Sequence, residues 1–296
     1  MNYTEFTSKI ENEVLNYIPN ESGLKATINR ITKNNGTIYD ALTIVKPIEG
    51  ISTAPAIYLN GFYQDYLKGT SFNDMLKEIA SIYINNKDFS VSNLDFLEST
   101  ENIIFNIINK KANEEILKTV PHLVFLDLAI IFRYVVNINE DGIGSVVINN
   151  SLTNLDAKEL LKYALINNKR KFTYTIRTME EIMSEIMGIS FEPEEVSSIG
   201  MYVISNNIGI NGSAVMAYPD VFKKLSDKLN ADKLYILPSS IHELIAVPVI
   251  GADDFNIKEL KDMVMSVNGS EVSPDEILSD NVYLYDRQTN SIQFAN

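Results

Sequence analysis

Two short apolar runs joined by a polar turn and followed by a helix-period segment recur along this chain, and that recurrence constrains its fold more than any single motif. The clearest local echo sets Gly144-Ser145-Val146-Val147-Ile148 against Gly212-Ser213-Ala214-Val215-Met216. Each follows a strand-like run and a polar turn and precedes an amphipathic helix. Strands that arrive in adjacent pairs favour antiparallel hairpins, because a parallel pair needs a crossover between its strands. The expected class is α+β: antiparallel sheets built from successive hairpin-plus-helix (ββα) units, with helices packed on one face. Duplication and a common local solution explain the recurrence equally well, and the uneven spacing excludes a solenoid period.

Individual segments carry the pattern. Phe6, Ile10, Val14 and Tyr17 predict a helix over residues 4–18, closed by Pro19. Runs over 24–31 and 37–45 flank Lys33-Asn34-Asn35-Gly36, and Asn-Gly between apolar runs is a hairpin signal because both residues accept positive φ. Residues 56–59 read as a short strand. Ser71 opens a helix that buries Phe72, Met75, Leu76, Ile79 and Tyr83. Residues 89–118 are ambiguous between strand and helix, whereas 123–136 read as one strand. Asn139-Glu140-Asp141-Gly142 turns into a strand over 145–148. Helices are expected over 155–166, opened by Thr153, and after Thr178-Met179-Glu180-Glu181. Residues 189–198 read as an acidic loop. Strands over 201–205 and 214–217 then precede a helix opened by Pro219. A hairpin over 234–237 and 244–249 follows, then a helix capped by Asn256 and stopped by Asn268-Gly269. The turn Ser273-Pro274-Asp275-Glu276 leads to final strands around 282–285 and 292–294. A soft boundary near 88–115 divides the chain into an N-terminal helix–hairpin–helix region (1–100) and a C-terminal α+β region with the repeated units (101–296).

Composition limits the function classes. A length of 296 residues and a hydrophobic share of 45% suffice for one large core or two ordinary ones. The net charge of −14 argues against a nucleic-acid surface, which needs clustered Lys and Arg. The basic cluster Lys169-Arg170-Lys171 follows a helical stretch, where it complements the negative end of the helix dipole; a phosphate site is the alternative. From Gly251 to Asn296 there are nine acidic residues against three basic ones, which reads as a solvated face or as a surface for a basic partner or cation. The absence of cysteine excludes disulfides and thiolate chemistry. The first residues show no signal-peptide pattern, and the longest apolar run, 123–132, is too short to span a bilayer. A cytoplasmic protein is expected, with no membrane and no nucleic-acid partner.

With two histidines the search for chemistry is short. His242 lies in Leu237-Pro238-Ser239-Ser240-Ile241-His242-Glu243-Leu244, which offers hydroxyls, a base and an acid close together. In an extended segment the side chains of Ser240 and His242 stand about 7 Å apart, too far for direct activation. The alternative is a hairpin loop at 238–240 with His242 bonding a neighbouring element. His122, beside Pro121, reads as a partly buried residue. Asp253-Asp254 adds carboxylates but fits a helix start, and no metal-binding motif occurs. Gly142-Ile143-Gly144 precedes a strand and lacks the third glycine of a dinucleotide fingerprint. Tyr58, Phe62, Tyr63 and Tyr66 form a core face with wet hydroxyls or line a cleft. No cofactor is expected.

Several segments resemble an uncharacterised bacterial family, domain of unknown function 5688. They are Leu237 to Glu243, Leu278-Ser279-Asp280-Asn281-Val282-Tyr283-Leu284-Tyr285-Asp286-Arg287, Asn34-Asn35-Gly36, Pro121-His122 with Leu126-Asp127-Leu128-Ala129, and Asn211-Gly212-Ser213-Ala214. The resemblance spans nearly the whole chain and implies a bacterial protein without an assigned activity, so it carries no catalytic residues over. The residues themselves favour a non-catalytic binding or regulatory protein, with a protein partner of unknown identity. The alternative is a hydrolase or metal-dependent enzyme centred on His242 with Ser239, Ser240, Glu243 and Asp280 or Asp286.

Overall fold

The computed structural model describes residues 1–19, 22–46, 56–86, 99–139, 142–188, 200–218, 220–249 and 256–295. The chain forms two compact units, Met1–Phe96 and Leu97–Asn296. The fold is α+β, and every strand pairing among the described residues is antiparallel.

In the N-terminal unit, α1 (Tyr3–Glu13) starts at a capping box: Asn2 accepts from the Glu5 N–H, and Glu5 accepts from the Asn2 N–H. A 3₁₀ turn, Val14–Tyr17, prolongs it. Strands β1 (Lys25–Thr32) and β2 (Ile38–Val45) pair in register from Lys25↔Val45 to Thr32↔Ile38. The turn between them places Asn35 at φ 58° and Gly36 at φ 70°, the left-handed geometry that Asn-Gly supplies at low cost. The short β3 (Ile57–Tyr58) completes a sheet of order β1-β2-β3. Helices α2 (Leu59–Leu67) and α3 (Phe72–Asn86) follow, and the core joins Phe6, Ile10, Leu42, Ile44, Leu59 and Ile79. The aromatic group divides: Phe62, Tyr63 and Tyr66 on α2 flank this core, while the Tyr58 ring lies 3.7 Å from Lys33 Nζ.

The C-terminal unit begins with β4 (Ile103–Asn109), the short helix α4 (Glu114–Leu117), β5 (His122–Phe125), β6 (Leu128–Asn139) and β7 (Gly142–Val147). β6 pairs with β4, β5 and β7. The apolar run expected as one strand is therefore two, folded back at Leu126, whose φ is 58°. Helix α5 (Ala157–Lys171) starts at Asp156, not Thr153, because Asp156 accepts from the Lys158 and Glu159 N–H groups. Its last turn holds the basic cluster: Lys169 pairs with Asp220 at 3.0 Å, Arg170 donates to the Glu101 carbonyl and Lys171 to Asn102. Lys224 and Lys169 together hold the Asp220 carboxyl down at about 2.

β8 (Tyr174–Thr178), α6 (Met179–Met187), β9 (Tyr202–Asn206), α7 (Val221–Leu229), β10 (Lys233–Leu237), β11 (Leu244–Pro248), α8 (Ile257–Ser270), β12 (Tyr283–Asp286) and β13 (Ser291–Phe294) follow. Six of these strands form a sheet of order β13-β12-β10-β11-β9-β8. The expected strand at 214–217 is instead a 3₁₀ turn, Gly212–Ala217, buried from Gly212 to Met216. The opening echo thus ends in unlike structures, since Gly144–Val147 is strand. The expected acidic loop, Pro219, Asp253 and Asp254 lie outside the described residues, as do 89–98 of the ambiguous stretch and Glu140 and Asp141 of the expected turn.

Period-two burial explains how the six-stranded sheet is placed. Leu234, Ile236, Leu244 and Ala246 face the main core with Phe105, Ile130 and Phe132 of the other sheet, Leu160 of α5 and Phe222 of α7. Leu237 and Val247 point the other way and meet Leu260 and Val264 of α8. With both faces of β10 and β11 apolar, the sheet is covered on both sides rather than one. Among the described residues no helix is long and apolar enough to cross a membrane.

Tyr218 and Tyr283 are buried in the main core, 3% and 0% exposed. Burial pushes the Tyr218 phenol up to about 12, and burial with the nearby Asp127 raises Tyr283 further. A raised phenol contributes stability that is present below its unfolded value, about 10, and lost as pH rises through its folded value. Stability is therefore expected to fall by about 2–3 kcal/mol between pH ~10 and ~12 from Tyr218 alone. Phenolate absorbance followed beside circular dichroism checks this: the buried tyrosines should ionise together with unfolding, and full ionisation of a folded protein would refute it.

Candidate functional site

The connection from β10 to β11 carries all four sequence candidates. Its residues lie outside any strand, so the spacing expected for an extended segment does not apply to Ser240 and His242. The Ser240 N–H donates to the Glu243 carbonyl at 3.3 Å, and the His242 N–H donates to Ser240 Oγ at 3.0 Å. Ser240, 8% exposed, thus closes a local turn with its own hydroxyl.

Both ring nitrogens of His242 face protein groups. Nδ1 accepts from the Asn211 N–H at 3.2 Å, which leaves the ring proton on Nε2, and Nε2 lies 3.3 Å from Glu276 Oε1. A general base must offer a free lone pair to the proton it removes. Here that lone pair is used on Asn211, which holds the left-handed residue (φ 52°) just before Gly212. The backbone is bracketed as well. Ser205 Oγ donates to the His242 carbonyl at 2.7 Å, the Ser213 N–H to the Ile241 carbonyl at 3.1 Å, and the Ile241 N–H to the Glu276 carbonyl at 2.8 Å. Gly212 fits against this bracket only because it has no side chain: a Cβ there would lie 2.1 Å from Ser205 Oγ and 2.3 Å from the His242 carbonyl oxygen.

His242→Ala would leave the Asn211 N–H without its acceptor. A loss of about 1–3 kcal/mol is expected, read as a lowered Tm in thermal unfolding; an unchanged Tm would contradict the bracket.

A second knot centres on Asp127, in the turn between β5 and β6. Its carboxyl group accepts from Ser279 Oγ at 2.6 Å, Asn281 Nδ2 at 2.9 Å and Tyr283 Oη at 2.8 Å. The Asp127 carbonyl accepts from the Lys110 N–H, and Asn109 Nδ2 donates to the Leu278 carbonyl. Asp280 is drawn to α8, where Asn268 Nδ2 donates to its Oδ1 at 2.9 Å and to the Ser279 carbonyl at 3.0 Å. Asp286 accepts from the Gln288 and Thr289 N–H groups in the β12–β13 turn. His122 Nδ1 is 3.1 Å from the Val120 carbonyl. His242, Asp280 and Asp286 are thus each bonded to different partners, and among the described residues no three His, Asp or Glu side chains converge as metal ligands.

Beside the bracket lies an open groove whose empty space, open solvent included, is about 360 Å³. Its floor is the cross-strand pair Leu237 and Ile245, with Met201 at one side. Met263, Val264, Val267 and Asn268 of α8 form its other wall, and Ser239 joins from the connection. Of the four candidates only Ser239 lines it. Sequence reasoning named none of Glu276, Asn211, Asp127 and Asn268 as a site residue; the dense polar run 279–281 and the resemblance at Asp127 were the signals available for the second knot.

Four of the segments that carry the family resemblance meet in these two knots. Leu126-Asp127-Leu128 is bonded to 278–283, and Asn211-Gly212-Ser213 to Ile241 and His242. No curated protein and no solved structure matches the chain. The model of a family of unknown function (DUF5688) matches residues 3–287, and the chain belongs to that family.

Proposed function

We propose that the protein is a cytosolic binding or regulatory protein that does no chemistry at His242. The observation that carries this reading is the commitment of both His242 ring nitrogens, to the Asn211 N–H and to Glu276, with the Ser240 hydroxyl turned to the backbone of the same loop. The groups a hydrolase would deploy hold a connection in shape, and the cavity that Ser239 borders is mainly apolar, as binding sites for small molecules are. A net charge of −14 favours proteins or uncharged molecules over nucleic acid as partners.

Affinity capture from the native host with mass spectrometry tests the reading. A stoichiometric protein or a retained, chemically unaltered molecule is expected. A captured molecule that the purified protein converts, with conversion lost in His242→Ala, would overturn it.

A further inference from the structure

The two histidines of the chain meet their neighbours in opposite senses. His122 Nδ1 lies 3.1 Å from the Val120 carbonyl, an oxygen that can only accept, so that nitrogen carries a proton in either charge state of the ring and keeps its contact. His242 Nδ1 instead accepts from the Asn211 N–H at 3.2 Å, a contact open only to the neutral ring. A second proton would go to Nδ1, because Nε2 already carries one toward Glu276 Oε1, 3.3 Å away. Donor would then face donor and the bond to Asn211 would be lost, while the contact with Glu276 would become charge-assisted. The His242 side chain is 31% exposed, so solvent protons reach it.

We propose that His242 is a pH-sensitive latch on the corner at Asn211-Gly212: the neutral ring holds the corner, and the protonated ring stays on Glu276 and releases it. This goes beyond the reading as a binding protein and does not depend on it. Imidazole is the one side-chain type that ordinarily changes charge between pH ~5 and ~8. The corner is poised to move, since Asn211 sits at φ 52°, a left-handed conformation that asparagine tolerates without preferring. The rest of the bracket is indifferent to the charge on the ring. Ser205 Oγ bonds the His242 carbonyl, the Ser213 N–H the Ile241 carbonyl and the Ile241 N–H the Glu276 carbonyl, and none of these passes through the imidazole. The release is therefore confined to the chain between Asn206 and Ser213. The carboxyl groups on the elements packed against the ring are Glu276, Asp275 beside it in the chain, and Glu243 on the ring's own connection. Residues 205–217, which face the ring from the other side, contain no titratable side chain.

Backbone amide exchange in the full chain, corrected for the intrinsic pH dependence of exchange, tests the latch between pH ~8 and ~5. Protection of the Asn211 amide is expected to fall about tenfold as the His242 ring titrates, the ring being followed by its carbon resonances. The Ser213 and Ile241 amides should keep their protection. His242→Asn places an amide oxygen where Nδ1 stands, an acceptor at every pH, so the fall at Asn211 should vanish; His122→Asn should leave it intact. Should His242→Asn fail to fold, the contrast of Asn211 with Ser213 and Ile241 in the unaltered chain still decides. The proposal is overturned by an Asn211 amide that stays protected while the ring titrates, by a fall that persists in His242→Asn, or by loss at all three amides together. A His242 ring that stays neutral down to pH ~5 overturns it too. Whether the protein binds a partner is decided separately, by capture from the host.

Discussion

Asp127→Ala is expected to destabilise the C-terminal unit by about 3–5 kcal/mol, a large part of the stability of an ordinary domain. Its carboxyl group is the shared acceptor for Ser279 Oγ, Asn281 Nδ2 and Tyr283 Oη. Alanine would leave three donors unmet, one of them on a fully buried ring. Asp127→Asn should cost less, because its carbonyl oxygen can still serve Ser279 and Asn281 while the Tyr283 hydroxyl turns to accept. Tyr283→Phe combined with Asp127→Ala should be clearly less harmful than the sum of the two, since both remove the same bond. Denaturant unfolding measures all three. A loss below ~1 kcal/mol for Asp127→Ala would show that the knot is not what holds 279–283 in place.

Gly212→Ala is expected to cost about 3 kcal/mol, for a steric rather than a polar reason. The added methyl would meet Ser205 Oγ at 2.1 Å, the His242 carbonyl oxygen at 2.3 Å and the Asn206 nitrogen at 2.9 Å. Two of these are backbone atoms fixed by other bonds: the His242 carbonyl sits in the bracketed connection, and Asn206 ends a strand paired with β8. Ser205→Ala in the same background should recover only a small part of the loss, because the backbone contacts remain. Tm values of the single and double variants check the order, and full rescue by Ser205→Ala would place the strain in the side chain alone.

Elements whose ends carry polar signals were legible in the sequence. Asn35-Gly36 marks its hairpin, Thr178 with Glu181 its capping box and Asn256 its helix start, since each supplies a local bond or backbone angle that distant contacts need not provide. Elements decided by burial were not. The turn between β5 and β6 rests on Leu126 at positive φ, a residue that signals no turn, so an unbroken apolar run concealed two strands. Gly212–Ala217 packs as a 3₁₀ turn because it is enclosed by other elements, not because its residues avoid β structure. α8 passes through the expected stop at Asn268-Gly269 because the Asn268 amide bonds Ser279 and Asp280 instead of ending the helix. The same holds for the site. Ser239 was visible in a suggestive string, but its wall mates on α8 and the Glu276 that orients His242 are brought there only by the fold.

The bonds from Asp127 to Ser279, Asn281 and Tyr283 span 152, 154 and 156 residues. A partly formed C-terminal unit cannot satisfy the β5–β6 turn from nearby chain. The late segment must return across the intervening helices and strands before that turn has its acceptor filled, and loop closure of that length is an entropic cost met before any contact rewards it. The unit should therefore gain stability all at once rather than by accretion. The arrival of 278–283 at the β5–β6 turn is the step expected to limit its rate, so the place where one aspartate finds its donors predicts slow, highly cooperative refolding.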